Sequence, residues 1–323
     1  MGGTVTPQET HVRSAAVLDE LERVVVGKRR ALELVWCGIL ASGHVLIEDL
    51  PGLGKTLIAR SFAAALGLSF TRLQFTPDML PADVTGASVY DRAEAREVFR
   101  PGPLFTQLLL ADEINRTPPK TQAALLEAMG EGQVSVDGHT HALPRPFVVL
   151  ATDNPIEYEG TYPLPEAQLD RFALRVRLGY LTADEERAML RRRLERGTPE
   201  GEVAAVTSAE ELLAMRESLE RVEVDDDLLA YVVELLAATR DHPEVAVGAS
   251  PRGGLALVQL ARAHATLDGR DFVVPEDLHA CAGSALGHRI SLRPELWVRQ
   301  VTGDDVIRRL LERLPAPGPE RAR

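Results

Sequence analysis

The sequence contains 323 residues, of which 45% are hydrophobic and 26% are charged. These proportions are typical of globular proteins, and the length allows a large core divided between two domains. The formal net charge of −12 argues against bulk electrostatic binding of nucleic acid or anionic lipid, although a local basic pore would be compatible with it.

The sequence pattern predicts neither a membrane span nor a signal peptide. Because no run of about 18 apolar residues occurs, we expect no direct membrane insertion. Residues 1–11 lack the apolar region of a signal peptide. Cys37 and Cys281 each lie in an apolar helical pattern, which predicts buried thiols in a reducing cytoplasm.

The N-terminal part of the chain is predicted to be irregular at first. Residues 1 to about 15 are expected to be disordered or to form an arm. A short helix over Ala15–Val26 and a second helix over Arg30–Leu40 are predicted to follow.

A strand, a Gly-rich loop and a helix follow one another between His44 and residue 66. Val45–Ile47 is an apolar run too short for a helix, the chain breaks at Pro51-Gly52-Leu53-Gly54, and apolar residues from Leu57 onward recur at helical spacing. This order is typical of a phosphate-binding loop, whose backbone N–H groups and helix N-terminus face phosphate oxygens.

Two side chains of this loop have predicted roles. Lys55 would reach the β- and γ-phosphates, and the Thr56 hydroxyl would bind Mg²⁺. The loop departs from the general pattern at one position, because Asp49 stands where G-x-x-x-x-G-K-[ST] has its first glycine.

The next segment alternates strands and helices up to about residue 178. One helix is predicted to begin with Thr117 as its N-cap and Pro118 at its first position, and to run to Met129. A short helix is expected near Ala167–Arg171. The predicted strands and hairpin arms are Phe70–Phe75, Ala87–Tyr90, Glu97–Phe99, Leu108–Ala111, Gln133–Val136 with the arm after Asp137-Gly138, Phe147–Ala151 and Ala173–Leu178.

The histidines do not suggest a metal site by their spacing. His139 and His141 lie on the far arm of the second predicted hairpin and are expected to face solvent.

Asp112 and Glu113 directly follow a fully apolar strand. In a parallel sheet, ligands bind at the carboxyl ends of the strands, so both carboxylates are expected beside the phosphate loop. Asp112 suits the Mg²⁺ shell, and Glu113 suits a base that activates the attacking water. Taken alone, the pair could equally be two acids in a surface loop.

Three further polar residues are candidates for the same site. Asn154 also ends a buried strand and would hold the attacking water or a γ-phosphate oxygen; capping the turn at Pro155 is the alternative. Arg171 follows an amphipathic turn, and Arg252 lies in the first turn of a helix with Ser250 as N-cap. A cation is unfavourable at a helix N-terminus, which suggests an anionic partner, although a surface salt bridge explains either arginine alone.

After Tyr180 the sequence pattern becomes helical. Helices are predicted over residues 183–195, 208–219, 225–239, 250–267, 275–288 and 303–313, and the Pro-rich tail is expected to be disordered. We therefore divide the chain into residues 1–181, an N-terminal arm and α/β nucleotide-binding core; residues 182–314, an all-helical lid; and residues 315–323, a tail.

These motifs together resemble the AAA+ ATPases and, within them, the MoxR family. The resemblance extends over roughly residues 22–313, and Asp49 fits the variant of the phosphate loop found in that family. The segments that carry it are Val24–Gly27, Glu48–Thr56, Leu110–Arg116, Pro118–Met129, Ala151–Pro155, Pro165–Phe172 and Gly248–Arg252.

The resemblance implies a role for each matching position. Lys55 and Thr56 resemble Walker A, Asp112 and Glu113 resemble Walker B, and Asn154 resembles sensor 1. Arg171 resembles an arginine finger that enters the active site of a neighbouring subunit, and Arg252 resembles sensor 2. Nucleotide contacts are expected from Val26 and Gly27 near adenine and from Pro51, Gly52, Leu53, Gly54, Lys55, Thr56, Leu57 and Asp112, with Thr56 and Asp112 holding the metal.

Smaller features also match this family or depart from it. Residues 76–103 resemble a helix-2 insert, and the hairpin at Asp137-Gly138 resembles the hairpin before sensor 1. Lys28 and Asp153 stand where the family often has glutamine, and neither change is expected to prevent hydrolysis.

The resemblance implies an ATPase that requires ATP and Mg²⁺. It would have an α/β P-loop core with a parallel sheet flanked by helices, and a helical lid. Members typically form hexameric rings in the cytoplasm and are thought to act as chaperones that mature or activate protein partners, often with a von Willebrand factor A domain. The alternatives are a motor on nucleic acid, a metal-chelatase motor subunit, and a nucleotide-gated scaffold with negligible turnover.

Overall fold

The structure is a computed structural model that describes residues 5–92, 95–154, 161–198, 201–295 and 301–318. Its first half alternates helices and strands. In chain order the elements are α1 (Pro7–Glu22), α2 (Arg29–Leu40), β1 (Val45–Glu48), α3 (Lys55–Ala65), β2 (Phe70–Gln74), α4 (Pro81–Thr85), β3 (Gly86–Asp91), β4 (Arg96–Pro101), β5 (Leu108–Asp112), α5 (Pro119–Glu131), β6 (Gln133–Val136), β7 (His139–Ala142), β8 (Val148–Asp153), α6 (Glu166–Leu169) and β9 (Leu174–Val176).

Five parallel strands form one sheet in the order β2-β5-β8-β1-β9. The segments Leu108–Ala111 of β5 and Val148–Ala151 of β8 are completely buried, as their apolar sequences predicted. The carboxyl ends of β5, β8 and β1 therefore lie side by side at one edge of the sheet. This is the edge at which parallel sheets bind ligands.

Two antiparallel hairpins, β3–β4 and β6–β7, lie outside this sheet, as predicted. The rings of Phe99 on β4 and His141 on β7 stack with centroids 3.8 Å apart. The expectation that His141 faces solvent is therefore wrong, because the ring packs against the other hairpin. His139 is exposed, as expected.

Helix α1 begins much earlier than predicted. The segment from Pro7 onward is helical and not an arm, and the side chains of Val17, Leu18 and Leu21 are buried in the core. Thr6 caps the helix, because its side chain accepts from the Glu9 N–H while the Glu9 carboxylate accepts from the Thr6 N–H. This capping box, with proline at the first helical position, is the sequence signal that was overlooked.

Helix α5 begins one residue later than predicted. Pro118 has extended backbone angles and serves as the N-cap, with its carbonyl accepting from the N–H groups of Thr121 and Gln122. The prediction that Thr117 caps this helix is wrong. Its hydroxyl is buried without a hydrogen-bond partner among the described residues.

The second half of the chain forms the lid. The six predicted helices are present, together with one short antiparallel pair of strands, β10 and β11. Residues 315–318 have no regular secondary structure, and residues 319–323 lie outside the described part of the chain. In chain order the elements are α7 (Ala183–Arg196), α8 (Ala209–Leu219), α9 (Asp226–Arg240), β10 (Val245–Val247), α10 (Pro251–Leu267), α11 (Pro275–Leu286), β11 (Ser291–Leu292) and α12 (Gly303–Arg313).

One hydrophobic cluster joins the two halves. It includes Trp36 of α2, Leu110 of β5, Leu257 of α10 and Cys281 of α11. Both cysteines are buried free thiols, as predicted. Among the described helices, none is both long enough and apolar enough to cross a bilayer. The lid is thus packed against one side of the sheet through a shared core.

Candidate active site

The loop after β1 has the backbone geometry of a phosphate cradle. Gly52 and Gly54 have φ angles of +81° and +90°, and no atom lies within 4 Å of the point where a Cβ would be. These backbone conformations favour glycine, and the absence of side chains leaves open space over the loop. Lys55 follows directly and begins α3, whose N-terminus carries the positive end of the helix dipole.

Lys55 lies among carboxylates. Its ammonium group donates a hydrogen bond of 2.6 Å to the Asp49 carbonyl oxygen. Burial lowers the pKa of Lys55, while the negative charges of Asp112, Asp49 and Glu113 oppose this shift. The sheet has therefore brought the predicted acidic pair within electrostatic reach of the loop lysine.

Thr152 joins the ends of β5 and β8, and sequence reasoning did not identify it. Its hydroxyl donates to the Asp112 Oδ1 at 2.7 Å and accepts from the Glu113 N–H at 2.8 Å. The next residue but one, Asn154, is buried at the same edge. Asp112, Glu113 and Asn154 thus lie where the sequence placed them; Pro155, the alternative partner of Asn154, is outside the described residues.

Two side chains of β2 also contact the acidic pair and were not predicted. Arg72 donates to Asp112 Oδ2 through Nη2 at 2.7 Å and Nε at 3.1 Å. Gln74 donates to Glu113 Oε2 at 2.6 Å and accepts from Arg72 at 2.9 Å. The available signal was the period-2 spacing of two polar residues on a strand, which puts both on one face.

Glu113 is held in an unusual conformation. Its φ angle is +57°, and Oε2 also accepts from Arg116 at 3.0 Å. Among the described residues, no side chain donates a hydrogen bond to Oε1. Oε1 is therefore the oxygen that remains available to a water molecule.

Asp49, the exception in the loop motif, has a structural role. Its Oδ2 accepts from the backbone N–H groups of Leu178 and Gly179 at 2.5 and 2.7 Å. Lys28 donates to the carbonyl oxygens of the same two residues at 2.9 and 2.6 Å. We call Leu178–Gly179 the β9–α7 corner. The Asp49 carboxylate binds its N–H groups, and the Lys28 ammonium group binds its carbonyl oxygens.

A cavity of about 200 Å³ adjoins the phosphate loop on the side of α7. Pro51 and Gly27 do not line it, and the ideal Cβ position of Gly27 is 2.5 Å from the Glu185 carboxyl carbon. A side chain at Gly27 would have to displace the Glu185 carboxylate, and the φ angle of +68° disfavours residues other than glycine there. The predicted nucleotide contacts that line the cavity are Val26, Gly52, Leu53, Gly54 and Leu57, joined by Tyr180, Leu181, Glu186 and Met189.

Arg171 and Arg252 lie together at the opposite end of the strands. Both line a cavity of about 330 Å³ that also contains His44, which precedes β1. Since Val45 pairs with Leu174 in the parallel sheet, both strands begin at this end, and the four residues of β1 separate it from the phosphate loop by about 13 Å. The structure does not bring either arginine to the phosphate loop of the same chain.

The two arginines have different surroundings. Arg171 donates to the Leu126 carbonyl oxygen of α5 at 2.5 Å, whereas Arg252 is exposed in the first turn of α10. Between them, Asp170 accepts from Arg289 at 2.7 Å and from the Ser250 hydroxyl at 3.2 Å. Asp170 therefore fixes the start of α10 beside Arg171.

One group of potential metal ligands lies elsewhere, in the lid. His264, Asp268 and Asp277 approach one another, but Arg270 bridges the two aspartates at 2.9 and 2.7 Å. The guanidinium thus supplies the positive charge between them. We interpret this group as a salt-bridge network.

Asp153 is expected to make the stability of the folded protein depend on pH. Burial, followed by the charge of Glu48, raises its pKa to about 6, and its Oδ1 has no hydrogen-bond partner among the described residues. The folded state therefore binds this proton more tightly than the unfolded state does. The resulting stabilisation is complete below about pH 4 and disappears as the pH rises through about 6.

We expect Asp153→Asn to raise the melting temperature more at pH 8 than at pH 5, because the amide avoids a negative charge at this buried position near Glu48. Thermal unfolding of both proteins at the two pH values measures the difference. An equal change at both pH values would show that Asp153 does not titrate in this range.

Comparisons with known proteins agree with the fold and the loop. The sequence profile described as "ATPase family associated with various cellular activities (AAA)" matches residues 44–174, and the profile "AAA lid domain" matches residues 237–310. YeaC of Bacillus subtilis is 45% identical over 96% of this chain and 97% of its own length.

Two further proteins are similar over most of the chain. Chaperone MoxR1 of Mycobacterium tuberculosis is 39% identical over 96% of this chain and 83% of its own length. A solved structure from Cytophaga hutchinsonii, described as a "putative ATPase", superposes with a TM-score of 0.89 at 37% identity, covering 97% of both chains.

Proposed function

Because the chain belongs to the MoxR family of AAA+ ATPases, we propose that it hydrolyses ATP with Mg²⁺ and acts as a ring-shaped chaperone on protein partners. The main observation in support of the proposal is that Lys55, Asp112 and Glu113 lie close together at one edge of the sheet. This arrangement combines a phosphate cradle, metal-binding oxygens and a base, which phosphoryl transfer to water requires.

Phosphate binding is assigned to the loop between β1 and α3. The backbone N–H groups around Gly52 and Gly54 would contact the phosphates, and Lys55 would exchange the Asp49 carbonyl for a phosphate oxygen. The cavity beside Val26 and Leu57 would take the base.

Thr56 and Asp112 are the residues that would hold Mg²⁺, because hydroxyl and carboxylate oxygens suit this ion. The ion would neutralise phosphate charge and polarise the γ-phosphoryl group. Arg72 contacts Oδ2 of Asp112 and Thr152 contacts Oδ1, so Mg²⁺ at this carboxylate would share an oxygen with one of them or displace it.

Glu113 is assigned as the base that takes a proton from the attacking water, and Asn154 as the residue that positions this water or a γ-phosphate oxygen. Gln74 and Arg116 hold Glu113 Oε2 and so fix the direction of the carboxylate. We assign them as positioning residues.

The remaining catalytic charge is assigned to a neighbouring subunit. Arg171 and Arg252 line one cavity at the end of the sheet opposite the phosphate loop. Packed head to tail, one copy would present both arginines to the γ-phosphate bound by the next. Such an interface joins two different surfaces and forms a ring when the rotation between copies closes, and we propose that it closes as a hexamer.

The client assignment rests on similarity and charge. The relative named Chaperone MoxR1 supports a protein client, which we propose to include von Willebrand factor A domain proteins. A net charge of −12 disfavours a nucleic acid partner. The buried free thiols fit a cytoplasmic location.

The test is steady-state phosphate release with ATP, with and without Mg²⁺, and with and without duplex DNA. We expect Mg²⁺-dependent release that DNA does not stimulate, and rings that light scattering detects. Negligible turnover would favour a nucleotide-gated scaffold, and stimulation by DNA with salt-resistant binding would favour a nucleic acid motor. A pull-down with the Glu113→Gln protein in ATP would identify the client, and capture of a large chelatase subunit would favour the chelatase alternative.

A further inference from the structure

Helix α7 exposes a leucine stripe to solvent. None of its 14 residues is buried, and the exposed fractions of Leu190 and Leu194 are 58% and 80%. These residues are one helical turn apart, so they share a face. A helix of a compact domain normally buries its apolar stripe.

The opposite side of α7 is the side that faces its own subunit. Arg192 donates to the Glu22 carbonyl oxygen at 2.8 Å, and Glu185 lies against Gly27. At about 100° per residue, both side chains point roughly opposite to Leu190 and Leu194. Leu190 and Leu194 therefore point away from the contacts that α7 makes with the described part of its own chain, and are accessible to a second copy.

Charged residues flank the leucines. Arg191 and Arg193 are exposed, and neither forms an ion pair with any described residue. We define Leu190, Arg191, Arg193 and Leu194 as the α7 surface. It combines an apolar stripe with two unpaired positive charges.

The face that carries Arg171 and Arg252 also has an exposed leucine and, on α5, two exposed glutamates that could pair with the arginines of α7. Leu255, one turn after Arg252 on α10, is 71% exposed and lines the same cavity. Glu127 and Glu131 of α5 are exposed, make no ion pair within the described ranges, and flank Gly130, whose ideal Cβ position is 2.7 Å from Arg171 Nη1. We define the finger surface by these residues: Glu127, Glu131, Arg171, Arg252 and Leu255.

We propose that the α7 surface of one copy docks on the finger surface of the next copy. The inference rests on the proposed shared active site. Helix α7 forms a wall of the cavity beside the phosphate loop through Glu186 and Met189. A neighbour that delivers arginines to this nucleotide comes close to α7. Exposed leucines on both surfaces then bury each other, and the arginines of α7 face the glutamates of α5.

The test is a charge exchange between the two surfaces. One variant carries Arg191→Glu with Arg193→Glu, and the other carries Glu127→Arg with Glu131→Arg. Either variant alone has like charges at every interface, so we expect assembly at least about tenfold weaker than wild type and a matching loss of phosphate release. In an equimolar mixture, alternating copies have opposite charges at every interface, and both properties return.

Sedimentation velocity in ATP and Mg²⁺ measures assembly. The matched control carries Glu217→Arg with Glu234→Arg, two exposed helical positions outside both surfaces, and should assemble like wild type. Leu194→Ser is an independent probe, expected to weaken assembly although the side chain is 80% exposed in the single subunit. Thermal unfolding and nucleotide binding of each variant identify any folding defect.

The proposal is overturned if either charge variant alone assembles like wild type, or if the mixture remains as weak as its components while both bind nucleotide. The hypothesis of a shared active site has its own test, in which Arg171→Ala is mixed with Lys55→Ala. That mixture leaves the arginines of α7 and the glutamates of α5 unchanged. A protein that passes that experiment and tolerates charge reversal has a shared site with a different docking surface.

Discussion

Glu113→Gln is expected to remove most ATP turnover, by a factor of about 10²–10⁴, while leaving nucleotide binding nearly unchanged. The amide has the shape of the carboxylate but cannot accept the proton of the attacking water. Steady-state phosphate release and equilibrium binding of a fluorescent ATP analogue measure the two effects. Lys55→Ala should differ by weakening nucleotide binding itself.

Glu234→Gln is the matched control for this change. Glu234 is an exposed glutamate of α9, so its neutralisation should alter neither property. If the Glu113→Gln protein hydrolysed ATP at the wild-type rate, another residue would have to be the base.

Arg171→Ala should bind ATP normally but hydrolyse it about 10³–10⁵ times more slowly, the range found for arginine fingers. Mixing it with Lys55→Ala should restore activity above that of either variant alone. The mixed ring contains interfaces at which an intact phosphate loop meets an intact Arg171. Phosphate release across mixing ratios, with light scattering to verify mixed assembly, measures the rescue.

The structure adds a steric version of this experiment. A methyl group at Gly130 would displace the Arg171 guanidinium, whereas Gly283 on α11 has open space at its Cβ position. Gly130→Ala should therefore lower phosphate release and Gly283→Ala should not. Mixed rings that form without rescue would mean that Arg171 acts within its own subunit or not at all, and would direct attention to Arg116 and Arg252.

The sequence predicted the backbone of the phosphate loop well, because the signal there is local. A short apolar run followed by Gly52, Gly54 and Lys55 predicts the backbone conformation of the loop. Both glycines have positive φ angles, which other residues rarely adopt. The placement of Asp112 beside Lys55 followed from one further rule, that parallel strands present their carboxyl ends at the same edge.

Contacts between distant segments were not predictable in the same way. The pattern of β2 indicates a strand, but pairing with β5, which brings Arg72 to Asp112, is a property of strand order. The proximity of Arg171 and Arg252 likewise depends on where α10 begins relative to the end of the sheet opposite the phosphate loop. No local periodicity contains this information.

Local signals can also be misread. Thr6 and Glu9 formed a capping box within reach of sequence analysis, yet the polar composition around them suggested an arm. At α5, either Pro118 or Pro119 could be the first helical residue, and in the structure the helix begins at Pro119. Composition and the capping rule conflict at α1, whereas at α5 the capping rules alone are ambiguous.

The attachment of the β9–α7 corner has a mechanical consequence. Asp49 belongs to the loop that surrounds the phosphates, and the corner it holds is the point where the chain passes into α7. With 14 residues, α7 is about 21 Å long, so a rotation of about 10° at the corner would move its far end by roughly 4 Å. A change in loop geometry that rotated the corner by this amount on nucleotide exchange would thus displace the periphery of the molecule by several ångströms.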